Sequence, residues 1–206
     1  MIYYNSYAQV IIIRVSNTMS ALPKPAYISP EEYLLQENDN PSGIRHEYVN
    51  GIVYAMAGAS RGHNRVTNKL ALRLGTHLEK TPCEVFQSDM KVGIKHQEEV
   101  RFYYPDVQVT CAEEAETYYN TSPCLVIEVL SESTARKDRT EKLLGYQLIA
   151  SLQEYLICSQ DTPIVELYRR RNLWQRERFS DGETFVLESV NLQLAVNDLY
   201  DFLLKD

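Results

Sequence analysis

The stretch Cys124-Leu125-Val126-Ile127-Glu128-Val129-Leu130 constrains this chain more than any other. Every residue but Glu128 is apolar, so neither face of a strand built from it can meet water. Pro123 before it and Ser131-Glu132-Ser133-Thr134 after it hold it to strand length. Such a strand runs through the middle of a sheet that other elements cover on both sides. Glu128 is the anomaly. A carboxylate there costs on the order of several kcal/mol unless a cation or hydrogen-bond donors compensate it. Two readings stand: a buried ion pair with an arginine, or a ligand at the exposed end of the strand.

A second carboxylate makes the ligand reading sharper. In Tyr104-Pro105-Asp106-Val107-Gln108-Val109, strand parity places Asp106 and Gln108 on one face and the two valines on the other. A Pro-Asp pair alone is ordinary turn chemistry. Beside Glu128 on a neighbouring strand, Asp106 would repel it unless something positive lay between them. A hard divalent cation with oxygen ligands and spare water positions is the usual solution.

The segment after Glu128 reads as a helix from about Asp138 to Ala150, with Leu143, Leu144 and Leu148 on its buried side. Asp138 and Lys142 lie four apart on one face, either as a solvated ion pair or turned inward. Upstream, residues 46–56 alternate around Asn50-Gly51, a strong hairpin signal that carries Glu47. Residues 62–80 form the clearest helix, with Val66, Leu70, Leu74 and Leu78 as its buried stripe and His63 at its start. One position behind that stripe, Arg61, Arg65, Lys69 and Arg73 form a basic ridge. The ridge could hold a nucleic-acid backbone or simply face solvent.

Elsewhere, Ser29-Pro30 opens a short helix over 31–36, and strands are expected over 84–95, with a phase slip near Ser88, and over 103–111 and 154–158. Strand patterns follow over 164–170, 173–179 and 184–187, with Asp181-Gly182 turning the last pair and Asn197 capping a closing helix. Helices interleaved with a mixed central sheet define an α/β fold. Residues 1–18 read as an upstream extension and 19–206 as a single domain, because Met19-Ser20-Ala21-Leu22-Pro23 resembles an ordinary start. The run from Val10 to Ile13 is too short for a signal core or a membrane span.

The net charge of −7 gives the whole molecule no attraction to nucleic acid, so a local patch would have to supply it. Neutralising Arg65 and Lys69 should then flatten the salt dependence of binding. The cysteines at 83, 111, 124 and 158 are far apart and lack C-x-x-C spacing. That argues against a disulfide framework or a zinc site and points to a reducing cytoplasm.

Taken in order, His46-Glu47-Tyr48-Val49-Asn50-Gly51, the helix-opening His63, Tyr104-Pro105-Asp106-Val107, Ile127-Glu128-Val129-Leu130-Ser131, Asp138, Lys142 and Glu154-Tyr155-Leu156 resemble the Uma-two family of restriction-endonuclease-like proteins. The similarity spans about residues 25–204. It implies a PD-(D/E)xK fold, a mixed sheet flanked by helices whose metal site cleaves phosphodiesters. It makes Asp106 and Glu128 the ligands of Mg2+ or Mn2+, Glu47 a further acid at the site, and His63 and Asp138 accessory residues. The partner would be nucleic acid, DNA in the first instance, and a homodimer is compatible with it. The chain departs from the motif at Leu130, which stands two positions after Glu128 where the motif has lysine. Lys142 matches the family's lysine on the following helix, with Lys137 and Arg136 as rivals in the intervening loop. On this reading Lys142→Ala abolishes cleavage and leaves folding intact. The alternative is a module on the same fold that has lost catalysis and only binds nucleic acid or protein.

Overall fold

A computed structural model describes residues 27–131 and 134–203. The expected extension over 1–18, the start at Met19 and the end of the closing helix at Leu204 lie outside the described residues.

The apolar run forms β8 (Pro123–Leu130), every residue of which is buried. It lies inside a six-stranded mixed sheet with β3 (Glu84–Gln87), β6 (Val107–Thr110), β9 (Glu154–Ser159), β10 (Ile164–Arg169) and β11 (Arg176–Ser180). The order is β11-β10-β9-β8-β6-β3, with β8 parallel to β9 and antiparallel to β6. Alternate residues of β8 enter two separate cores. Leu125, Ile127 and Val129 pack with Val66, Leu70, Leu74 and Leu78 of α2 (Arg61–Leu78) and with Leu199 and Tyr200 of α5 (Val196–Tyr200). Val126 and Leu130 pack on the other side with Tyr146, Leu152, Tyr155 and Ile157. Burying each leucine of the α2 stripe stabilises the fold by roughly 1.5–3 kcal/mol. By parity Glu128 belongs to the second side.

Ser60 caps α2, its Oγ accepting the His63 N–H at 3.1 Å. Gly62 allows that helix end to touch the loop after β9, because a Cβ there would stand 2.6 Å from the Gln160 carbonyl oxygen. The hairpin is as expected: β1 (His46–Val49) pairs with β2 (Ile52–Ala55) through Asn50 and Gly51, both at positive φ. This hairpin is one end of a five-stranded sheet, β2-β1-β5-β4-β7, completed by β4 (Lys91–His96), β5 (Glu99–Tyr103) and β7 (Tyr119–Asn120). The helix α1 (Pro30–Asn38), capped by Ser29, packs on β1 through Tyr33 and Tyr48.

Several expected boundaries move. The strand over 84–95 is two strands, β3 and β4, in different sheets, and the phase slip at Ser88, whose φ is 35°, is the break between them. The strand over 103–111 divides likewise at Tyr104-Pro105-Asp106 into β5 and β6. The helix after Glu128 begins earlier and ends sooner, as α3 (Ala135–Lys137), a π-helical turn (Asp138–Lys142) and α4 (Leu143–Tyr146). Asp181-Gly182 leads from β11 into β12 (Thr184–Leu187) without pairing the two, since β12 pairs with β13 (Leu192–Ala195). Asn197 lies inside α5 and does not cap it; its Oδ1 accepts the Gly182 N–H at 3.0 Å.

The cysteine expectation is overturned. Cys83 and Cys111 form a disulfide across 28 residues. The antiparallel register of β3 and β6, with Glu84 opposite Thr110, brings the two flanking cysteines to a Cα separation of 4.0 Å. The thiol of Cys124 lies 3.8 Å from the sulfur of Cys111. Cysteine usage therefore gives no ground for a reducing compartment. No helix among the described residues is long and apolar enough to cross a membrane.

Candidate active site

Glu128 stands near the carboxyl end of β8, and two donors converge on one of its oxygens. Lys142 Nζ and the Tyr146 hydroxyl each donate to Oε1, both at 2.9 Å. Lys142 also pairs with Glu47 Oε1 at 2.8 Å and lies 3.6 Å from Asp138 Oδ1. Its ammonium is thus ringed by three carboxylates, with only 4% of the residue exposed. Glu47, reaching in from β1, is shared: its Oε2 accepts from Lys137 Nζ at 2.7 Å. The π-helical turn places Asp138 and Lys142 together, and Tyr146, four residues on, shares their inward face.

Electrostatics separate these groups. Burial pushes Glu128 well above the usual carboxylate range, and the charges of Asp138, Asp106 and Glu47 add to that against the pull of Lys142. Asp138 is raised too, again first by burial. Burial alone would also raise Glu47, but the Lys142 and Lys137 charges outweigh it and the net shift is downward. For Lys142, burial would lower the pKa, and the surrounding acids reverse the sign.

Asp106 immediately precedes β6, whose first residue Val107 pairs with Ile127, so it sits beside the end of β8 that carries Glu128. The Asp106 carboxylate accepts the Val129 N–H on Oδ2 at 2.7 Å and bonds His63 Nε2 through Oδ1 at 2.8 Å. His63 is raised as a result: burial would lower it, and Asp106 more than reverses that. Glu47, Asp106, Glu128, Asp138, Lys142 and Lys137 therefore gather at one sheet end. With four acids against two lysines, the site carries surplus negative charge.

A divalent cation suits the carboxylate oxygens of Asp106 and Glu128, which are hard ligands. Both donors to Glu128 use Oε1, which leaves Oε2 as the ligand atom. Asp138 Oδ1 is buried without a hydrogen bond, its distance to Lys142 giving charge attraction alone. Among the described residues no group of three or more His, Cys, Asp or Glu stands at ligating spacing. A cation would therefore rest on two carboxylates and complete its shell with water and phosphate, as Mg2+ commonly does.

A family model described as "Putative restriction endonuclease" matches residues 30–197. The chain belongs to the Uma2 family. Two proteins of Synechocystis sp. (strain ATCC 27184 / PCC 6803 / Kazusa) are similar to this Uma2 chain over most of its length. "Uncharacterized protein slr1290" is 35% identical over 177 residues, covering 84% of this chain and 91% of that one. "Uncharacterized protein sll1609" is 35% identical over 147 residues, covering 69% and 81%. In three dimensions the chain resembles a crystal structure described as a "putative nuclease belonging to DUF820" from Anabaena variabilis ATCC 29413. The TM-score is 0.71 at 18% identity, over 85% of this chain and 99% of that one, so the restriction-endonuclease-like fold is shared.

The basic ridge does not stand free in this Uma2 chain. Its spacing does align Arg65, Lys69 and Arg73, but that side of α2 faces the closing segment. Lys69 pairs with Asp201 at 2.8 Å, Arg73 pairs with Asp198 at 3.2 Å, and Arg65 lies over the Phe202 ring. Arg61, at the helix start, is exposed. Exposed ion pairs of this kind contribute about 0–1 kcal/mol. Replacing Lys69 and Arg73 by glutamine should shift stability by no more than that and leave the salt dependence of nucleic-acid binding unchanged. A log–log salt slope shallower by roughly one per lysine or arginine removed would return the ridge to phosphate contact.

Tyr146 escaped the sequence reading because a tyrosine in an apolar helix looks like core; its i,i+4 spacing from Lys142 was the available signal. Tyr54 escaped too. It pairs across the hairpin with Glu47, and Lys137 Nζ lies 4.9 Å from its ring centre. Of the rivals to Lys142, Lys137 joins the cluster through Glu47, whereas Arg136 is exposed.

Proposed function

We propose that this Uma2 chain is a divalent-metal-dependent endonuclease that hydrolyses DNA phosphodiester bonds. The observation that carries the reading is Lys142 Nζ held within 3 Å of both Glu128 and Glu47, on the strand end that Asp106 faces. In this reading Asp106 and Glu128 hold Mg2+ or Mn2+, which when bound activates water and polarises the phosphate. The Val129 N–H and His63 fix the Asp106 carboxylate, and Tyr146 with Lys142 fixes that of Glu128. Such outer donors orient ligands before a substrate arrives. Lys142 supplies positive charge where the phosphoryl oxygen becomes more negative. Glu47 keeps that ammonium in place and protonated.

A second reading, the module without catalysis, draws on the same contacts: Glu47, Asp106 and Glu128 already have donors, and no three-residue ligand cluster stands among the described residues. One site cuts one strand, so a homodimer belongs to the proposal only if both strands of a duplex are cut.

A nuclease assay with a panel of divalent metals separates the readings. Cleavage is expected with Mg2+ or Mn2+, absent with EDTA, and lost in Asp106→Asn. Binding of DNA without cleavage under any metal would select the inactive module.

A further inference from the structure

We propose that Tyr54 is a stacking platform for an unpaired nucleobase beside the scissile phosphate, so that the substrate is a strand with at least one unstacked base. The inference rests on the nuclease reading above and names its substrate class. Tyr54 lies on β2, directly opposite Glu47 across the hairpin, and β2 is an edge strand of its sheet. Residues facing each other across an antiparallel pair share one side, so the ring stands on the side of the acid cluster. Lys137 links them: its ammonium lies 4.9 Å from the Tyr54 ring centre and 2.7 Å from Glu47 Oε2. The ring is thus one lysine away from the carboxylates.

Its environment differs from that of every other ring there. Tyr103 packs edge-on against Tyr146, which packs at a tilt against Tyr155, all three fully buried, and Tyr48 is buried against Tyr33. Tyr54 is 41% exposed, and no hydrogen bond ties its hydroxyl among the described residues. A partly exposed aromatic ring next to clustered acids and two lysines has the chemistry of a base-stacking surface, with Lys137 held by Glu47 beside the ring as the nearest cation for the adjoining phosphate. A base inside a duplex already has both faces covered and cannot use it. A single strand, a flap or an extruded base can.

The test measures binding of a fluorescent oligonucleotide by anisotropy, in Ca2+ to hold back cleavage. Wild type, Tyr54→Phe and Tyr54→Ala are compared on a single-stranded DNA, on the same strand made abasic throughout, and on a blunt duplex. Stacking energies of aromatic side chains correspond to roughly tenfold or more in Kd. Tyr54→Ala is expected to weaken binding to the normal strand by about that factor. Tyr54→Phe should bind as wild type does, and all three proteins should bind the abasic strand alike. Equal binding of wild type and Tyr54→Ala overturns the platform alone, as does an equal loss on the abasic strand, which would assign the effect to Lys137. If wild type binds no oligonucleotide at all, the platform falls together with the nuclease reading.

Discussion

Lys142→Ala is expected to destabilise the protein by roughly 3–5 kcal/mol at pH 8 and to abolish cleavage at the same time. The lysine is the central counter-charge to Glu47, Glu128 and Asp138, and removing one partner of a buried charge network strands the others. This corrects the expectation that the lysine can be removed with folding intact, which holds only for a lysine facing solvent. The deficit should depend on pH. Glu128 and Asp138 titrate above their ordinary values because they are buried, so the folded protein binds those protons more tightly than the unfolded chain. Their ionisation therefore removes stability as pH rises from the ordinary carboxylate range through the raised folded values. Lys142 itself is raised, so its own contribution is fully present below the ordinary lysine value and lost only above it. Between pH 5 and 8 the wild type keeps that cation, and the variant meets the acids without it. Denaturant unfolding at pH 5 and pH 8 should show a smaller gap at the lower pH. Lys137→Ala, whose lysine is a quarter exposed, is the comparison. Full cleavage in Lys142→Ala with loss in Lys137→Ala would move the catalytic cation to Lys137.

Glu128→Gln should do the reverse for stability. Its amide oxygen can keep the Tyr146 hydrogen bond and the contact with Lys142 while a buried charge disappears. Because burial raises Glu128 well above the usual range, the gain grows as pH rises through that raised value and vanishes once the wild-type carboxyl is protonated. Cleavage should fall to background, since a neutral amide is a poor ligand for Mg2+. Metal binding gives a readout that needs no substrate: added Mg2+ should raise the melting temperature of the wild type by mass action and leave the variant unmoved. A variant destabilised at every pH, with an intact Mg2+ shift, would show that Glu128 is an ordinary ion-pair residue.

Glu128 was legible because a charge inside an apolar strand has few explanations, and Asp106 as a second acid next to a neighbouring strand, although it stands just before β6 and not within it. The long helix and the first hairpin carried their own periodicity and turn chemistry. What sequence left open depends on contacts between distant segments. Glu47 gained its meaning only when the β1–β2 hairpin met the helix after β8, about ninety residues away. The ridge on α2 looked free because Asp198 and Asp201 lie more than 120 residues downstream. The disulfide needed the β3–β6 register, which no spacing between Cys83 and Cys111 discloses. At Ser88 and at Pro105 the alternation held on both sides of a break, so two strands of different sheets read as one.

The π-helical turn gives the lysine a position set by chain length as much as by residue identity. An α-helix advances about 100° per residue, and a π-turn accommodates one extra residue while the flanking turns keep their phase. Asp138 and Lys142 sit within that widened turn, with Arg139 directed away from them to the buried Glu166 of β10. Removing a single residue from the turn would restore regular α-helical pitch while the flanking turns keep their phase, and would take away the extra width in which Asp138 and Lys142 stand together. The spacing of the acid and the lysine at the strand end would then change without any substitution at either position. In this architecture an insertion or deletion can switch the lysine's alignment on or off while the composition of the site stays the same.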